Sequence, residues 1–208
     1  MSDISPTRSA VIELKDERRA MHEGYVFLDE KCLLLAGEIL LELERFGQLQ
    51  REFLQQHGTA MAALQAAVAR HGLQGLQVYP PADLGAARLQ ITPRALMGVA
   101  LQEAEWQVAG HVDAQTDGVA APDAVQPSPE AAACRQAFAA LLSRAAVLAA
   151  VSGNLERLSL EYQRAVRRAR ALQDVMLPEL DRAIGDIESR LEELEQEDAI
   201  WMRQGAGA

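Results

Sequence analysis

The sequence predicts a mainly α protein: a long antiparallel two-helix coiled coil formed by the N- and C-terminal helices, with a small β-hairpin and loop unit in the middle. Three observations predict it. Val151, Leu155, Leu158, Tyr162, Ala165, Ala169, Leu172 and Met176 recur at steps of three and four, and Leu180, Ile184, Ile187, Leu191, Leu194, Asp198 and Trp201 resume the rhythm after Pro178. Such spacing keeps a row of residues on one helical stripe. A matching row, Val11, Leu14, Arg18, Met21, Tyr25, Leu28, Cys32, Leu35 and Ile39, then Leu43, Phe46, Leu49, Phe53, Met61, Leu64 and Val68, lies near the other end. Between them, residues 71–129 hold six of the eight prolines and six of the fourteen glycines. Runs this long exceed an ordinary globular helix and call for an equally long partner. At 1.5 Å per residue each helix would extend roughly 90 to 110 Å.

The first helix is expected over 6–70. Ser5-Pro6-Thr7 offers a cap and a first-turn proline. Gly24, Gly37, Gly47 and Gly58 lie inside it. Each costs about 1 kcal/mol relative to Ala in an exposed helix, so tertiary pairing must supply the difference. His71-Gly72 and Gly75 end the helix.

The middle segment, 71–129, contains short strand-like runs: Leu76–Tyr79, Arg88–Ile91 and Ala95–Leu101. Thr92-Pro93-Arg94 reads as a turn between the last two. This predicts a small hairpin over 76–106, beside the start of the last helix. From Gly110 to Pro129 the composition of Gly, Pro, Ala, Asp and Gln reads as a flexible loop. Ser128-Pro129-Glu130 restarts a helix that occupies 130–203. If the two helices end flush, paired positions sum to about 209. Arg70 then faces Ala139, residues 130–139 overhang, and Gly24 comes near Gly185, either as a close approach or as two unrelated surface glycines. Pro178 removes one helical hydrogen bond and predicts a gentle bend.

Composition narrows function. Of 208 residues 49% are hydrophobic and only 4% aromatic, which suits thin helix–helix seams better than a thick core. A net charge of −10 argues against general nucleic-acid binding. The longest apolar runs are interrupted by Glu38 and Arg144 and fall short of the ~20 residues that span a bilayer, so no direct membrane insertion is expected. The first residues lack the basic and apolar regions of a signal peptide, which points to a cytoplasmic chain. Cys32 and Cys134 form no C-x-x-C pair and read as free thiols. His22, His57, His71 and His111 are scattered, and there is no G-x-x-x-x-G-K-[ST] phosphate loop. Glu103 and Glu105 share a face only if their segment is a strand. No catalytic residue, cofactor or metal site is therefore expected. The last helix carries a basic band, Arg157, Arg164, Arg167, Arg168 and Arg170, and then an acidic one from Asp186 to Asp198, relieved by Arg190. Such bands are solvated helix faces or marks that set register against partners.

Several stretches resemble the D subunit of the V-type (vacuolar/archaeal-type) rotary ATPases. Ser5-Pro6-Thr7-Arg8 with Leu14-Lys15 resembles that family's opening, and Gly24-Tyr25, Leu28 and Lys31 its "K-G-y-x-L-L-x-x-K" run, with Glu23 in place of the first Lys. Met97-Gly98-Val99 with Leu101 is similar to its hairpin strand. Arg167-Arg168, Ala171-Leu172, Leu177-Pro178-Glu179-Leu180, Ile184, Ile187-Glu188 and Leu191–Glu195 resemble its C-terminal signature. Arg170 and Gln173 depart from the pattern, as does Ala199–Arg203, where the family has "F-F-R-L-K"; the sequence is similar to a divergent bacterial member.

The resemblance implies a non-catalytic axle that transmits torque between a catalytic ring of A and B subunits and a membrane ring that moves ions. It implies contacts with the F subunit in the central stalk and with the funnel-shaped C (or d) subunit, on the cytoplasmic face of the plasma membrane. Ring contacts would involve Thr7, Arg8, Arg190, Glu193, Glu197, Trp201 and Met202; stalk and hairpin contacts would involve Met97, Gly98, Val99, Arg167 and Arg168. The alternative is a non-rotary coiled-coil scaffold or adaptor.

Overall fold

The computed structural model describes residues 7–79, 87–108 and 128–205. The chain is mostly helical, with helix α1 (Arg8–Leu76), strands β1 (Ala87–Leu96) and β2 (Val99–Val108), helix α2 (Pro129–Ala171), a π-helical turn (Leu172–Met176) and helix α3 (Leu177–Gly205). It divides into two compact units. One comprises Met1–Ala36 with Glu161–Ala208, the other Gly37–Leu160.

In the first unit the start of α1 pairs antiparallel with the end of the chain. Thr7 caps α1, its hydroxyl accepting from the Ala10 N–H at 3.2 Å. Val11, Ile184 and Ile187 form a buried cluster, with Leu14 and Leu191 against it. Leu35, Ala165, Ala169 and Leu180 are buried in the same unit. Arg8 reaches Glu195, Lys15 lies 2.6 Å from Glu188, and Arg18 reaches Asp181. The expected flush pairing is thereby corrected. Trp201 lies six positions beyond the partner of Arg8, because α3 outruns the first described turn of α1. A Cβ at Gly24 would meet Leu172 at 3.8 Å and one at Gly185 would meet nothing within 4 Å, so the two glycines do not make a close approach.

The turn before Pro178 differs from the expected simple bend. Leu172–Met176 is π-helical, and the Leu177 N–H donates to the Leu172 carbonyl, five residues back. Proline at 178 cannot donate and its ring crowds the carbonyl four residues earlier. Inserting one extra residue into the turn relieves both problems. The stripe records the insertion: Leu172, Met176, Leu180 and Ile184 follow at three successive steps of four.

In the second unit α1 and α2 are also antiparallel. Arg70 reaches Glu130, and Arg144 lies 2.7 Å from Glu52. Glu130 rather than Ala139 thus partners Arg70, and residues 130–139 do not overhang. Ser128 caps α2, accepting from the Ala131 N–H at 3.3 Å, with Pro129 in the first turn. His71 Nε2 lies 2.7 Å from the same hydroxyl. Gly72 breaks α1 with φ 67° and ψ 166°, close to the expected end; the chain then makes one more turn to Leu76. The buried residues on α1 here are Glu42, Ala60 and Ala67, while Leu43 and Met61 are exposed. At these two places the buried position falls one residue earlier, at Glu42 and Ala60, while Phe46, Leu49, Phe53, Leu64 and Val68 are half-buried as spaced.

The strands are longer than expected, but the hairpin spans 87–108 and not 76–106. Leu76–Tyr79 is not a strand, and Thr92-Pro93-Arg94 lies inside β1. The turn is Met97-Gly98, with φ 47° and 83° and Leu96 paired to Val99, the two-residue connection whose twist suits a hairpin. Pairs alternate between hydrogen-bonded and non-bonded. Counting from Leu96–Val99, Pro93–Gln102 is a non-bonded pair, so the missing proline N–H costs the ladder nothing. The outward backbone of Gln102 is taken by α2: its N–H donates to Asn154 Oδ1 and its carbonyl accepts from Asn154 Nδ2, both at 2.8 Å. The hairpin thus leans on Asn154 and on Glu38 and Glu42, far along the helices from residues 130–139, where it was expected. Ser5, Pro6 and most of the expected 110–129 loop lie outside the described residues.

Among the described residues one helical stretch, Pro129–Arg203, is long and apolar enough to cross a membrane by length and composition, with an 18-residue window of mean hydropathy 1.5. This corrects the expectation that no run approaches that threshold. Within it, Leu141 and Val151 are buried and Arg144 pairs with Glu52.

Asn154 stands in for a third strand. Replacing it with Leu removes the partners of the Gln102 N–H and carbonyl, two partly buried hydrogen bonds worth about 0.5–1.5 kcal/mol each. We predict that Asn154→Leu lowers the urea midpoint and abolishes exchange protection of the Gln102 amide. An unchanged Gln102 exchange rate refutes the strand-substitute reading.

Candidate partner-binding surfaces

Three surfaces stand out. The first is the paired end of the first unit. Arg8 is fixed by Glu195, whose hydrogen bond holds the guanidinium pKa above its ordinary value. Arg190, Glu193 and Glu197 are exposed, and among the described residues no ion-pair partner faces them. Trp201 is 77% and Met202 71% exposed, while Leu194 and Ile200 also face solvent. Leu194 and Trp201 therefore do not seal the helix pair, which closes at Leu191.

The second is a groove in the same unit, of about 260 Å³. Tyr25, Cys32 and Ala36 of α1 and Tyr162, Val166 and Ala169 of α2 form its apolar walls, and Asp29, Arg170 and Gln173 its polar rim. Burial pushes the Cys32 thiol pKa up, and Asp29 adds to the effect while Lys31 opposes it. Beside the groove Lys31 Nζ donates to Glu161 Oε1 at 2.6 Å, with side chains only 14% and 23% exposed. That bond holds the Glu161 carboxyl below the ordinary range.

The third belongs to the second unit. Arg94 on β1 reaches Glu38 and lies 3.5 Å from Glu42. Glu42 is buried and one of its oxygens has no hydrogen-bond partner among the described residues. Arg45 lies 3.9 Å from its other oxygen. An ionised carboxylate is costly to bury unless cations compensate it, so Arg94 and Arg45 explain its position. Val99 and Leu101 bury the adjoining face of β2. Glu103 and Glu105 share that face, since their segment is a strand.

The sequence-derived candidates distribute among these surfaces. Thr7 is a helix cap, and Arg8, Arg190, Glu193, Glu197, Trp201 and Met202 cluster along the paired end. Met97 and Gly98 form the hairpin turn, and Val99 is buried rather than available. Arg167 and Arg168 are exposed on α2 in the other unit. Sequence reasoning missed Asn154, Glu42 and the Lys31–Glu161 pair. Each lies one position before a member of the apolar rows (Leu155, Leu43, Cys32 and Tyr162), so the spacing carried no signal for them.

The family model for the ATP synthase D subunit matches residues 10–203. The chain belongs to the ATP synthase D-subunit family. Among similar curated proteins, the V-type ATP synthase D subunit of Thermotoga neapolitana is 26% identical, over 97% of this chain and 96% of its own. The A-type ATP synthase D subunit of Thermococcus gammatolerans is 28% identical, over 97% and 92%, and that of Pyrococcus furiosus 26%, over the same shares. With similarity along nearly all of its residues, the chain is a component of a multi-subunit rotary ATPase.

In this family member the Lys31–Glu161 pair ties the helices at the groove. We predict that Lys31→Met lowers stability at pH 7 by about 1–2 kcal/mol. A carboxyl with a depressed folded pKa stabilises above its unfolded value, about 4.3, and loses that contribution as pH falls through the folded value. The urea midpoints of parent and variant should therefore converge in acid. A difference that persists unchanged at pH 3 contradicts the assignment.

Proposed function

We propose that the chain is the central-stalk axle of its ATPase, a non-catalytic rotor that passes torque between the A/B catalytic ring and the ion-translocating membrane ring. The observation that carries this reading is the antiparallel pairing of α1 with α3. Arg8 beside Glu195, over the Val11–Ile187 cluster, brings the start of α1 and the later turns of α3 to one end of a helix pair. An axle whose tip turns inside a ring needs two strands there, held by a dry seam inside and presenting soluble charge outside.

The tip meets those needs. Val11, Leu14, Ile184, Ile187 and Leu191 form the seam. Arg190, Glu193, Glu197, Trp201 and Met202 present the outer surface to the ring, with Thr7 and Arg8 on the partner helix. Sliding past successive catalytic interfaces disfavours deeply buried ion pairs, whose rupture costs several kcal/mol. Exposed charges, worth under about 1 kcal/mol each, let the tip pass. The Met97-Gly98 turn and the Arg167-Arg168 band are the proposed stalk contacts, toward the F subunit and the C (or d) funnel. Through that complex the chain sits peripherally on the cytoplasmic face of the plasma membrane.

The test uses the assembled complex. A chain ending at Glu188 retains the Val11–Ile187 seam but lacks the outer tip. Ions pumped per ATP hydrolysed should fall several-fold, while Arg190→Ala or Glu193→Ala alone changes turnover less than about two-fold. Unchanged coupling in the truncated assembly contradicts the axle tip; a large loss from either single substitution contradicts the diffuse-charge surface.

A further inference from the structure

In the first unit the two helices are fastened on either side of a stretch that is itself loosely held. On the tip side Arg18 reaches Asp181, and Val11 packs with Ile184 and Ile187. On the groove side Lys31 Nζ donates to Glu161 Oε1 at 2.6 Å, and Leu35, Ala165 and Ala169 are buried. Between these fastenings no residue of α1 from Arg19 to Glu30 is buried, and none from Arg170 to Glu179. Among the described residues no ion pair crosses between the helices there; Arg19–Glu23, at 3.9 Å, lies within α1.

Both backbones are weakest at this same level. Leu172–Met176 is π-helical, and Pro178 follows it. Wide turns and prolines are where helices bend sharply. Opposite Leu172, α1 carries Gly24, the poorest helix former after proline. A Cβ there would meet Leu172 Cδ1 at 3.8 Å, an ordinary contact, so space does not demand the glycine. The groove of about 260 Å³ opens beside them, between Tyr25 and Gln173, and leaves room for side chains to shift.

We propose that Gly24 and the Leu172–Met176 turn form a joint, about which the tip segment turns relative to the segment held by Lys31–Glu161. One yielding helix would be braced by its partner, whereas two weak points at one level leave no brace. The fastenings on either side confine the motion to the stretch between them. Segments with few buried contacts are the ones that open first, and a hinge needs only a few residues to absorb the change. The joint is a property of the isolated chain. Its use in the complex, letting the tip lag as it meets successive ring interfaces, rests on the axle reading.

The experiment uses the full chain with Cys32→Ala and Cys134→Ala, spin-labelled through Gln163→Cys and Glu192→Cys, two exposed positions on either side of the joint. Electron–electron resonance then gives the distance distribution across it. In a closed variant Val175 is deleted and Pro178→Ala and Gly24→Ala are introduced, so that the helix runs on with both stripes in phase. The distribution should narrow at least about two-fold there, with helix content retained by circular dichroism. An equal width in parent and closed variant overturns the proposal. A second measurement needs no variant: in the parent, the amides of Gly24–Leu28 and Gln173–Leu177 should exchange at least about ten-fold faster than those of Ala165–Ala169 and Ile184–Ile187. Equal protection along the unit overturns the proposal even if the closed variant does not fold.

Discussion

Two paired helices can bury only one stripe each, and that geometric limit governs the rest of this structure. A stripe of Val, Leu, Ile and Ala supplies adhesion without direction, because such residues pack comparably well one turn along. Register has to come from contacts that do not slide. In the first unit these are Arg8–Glu195, Lys15–Glu188, Arg18–Asp181 and the more protected Lys31–Glu161. Three of the four are solvent-exposed and individually weak. Together they mark one alignment of α1 against α2 and α3, and a shift of one turn breaks all of them at once. Lys31–Glu161 is the anchor, since its limited exposure preserves the electrostatic gain that water screens elsewhere.

The second unit solves the same problem with a sheet. A two-stranded hairpin is marginal in water, and this one gains its support from polar groups buried on the helices. Asn154 completes the outer edge of β2 at Gln102, and Arg94 of β1 neutralises Glu38 and Glu42. The hairpin in turn adds partners for Glu42 and Asn154 inside the helix pair, beside those that Arg45 and Arg157 supply. Helix pair and hairpin are mutually conditional, so the position of one sets the position of the other.

Much of this was legible in the sequence. The apolar rhythm from Val151 to Leu191 is buried or half-buried nearly as spaced, and the Ser128-Pro129-Glu130 restart is the observed start of α2. What escaped were decisions made by tertiary contacts. Sequence reasoning assumed flush ends, but cross-helix charges set the register. Pro93 suggested a turn, but a proline costs nothing at a non-bonded strand position. Large side chains such as Leu43 and Met61 drew the stripe away from Ala60 and Ala67, because apolar size was weighed above closeness of approach. Candidate sites followed the same division. The exposed candidates at the paired end were named from family resemblance, whereas the Cys32 groove and its neighbouring ion pair depend on two helices meeting.

The π-helical turn at Leu172–Met176 has a consequence for how this chain can change over evolutionary time. In an ordinary helix an inserted residue rotates everything downstream by about 100° and turns the apolar stripe to solvent. Here one supernumerary residue is already absorbed within a single wide turn, and the stripe re-emerges in phase at Leu180 and Ile184. The proline just beyond holds that wide turn in place by forbidding the narrower one. In this chain the proline and the wide turn together set a phase boundary. On one side of it the seam beside the groove can drift in sequence, and on the other the tip can drift, without either change rotating its neighbour out of register.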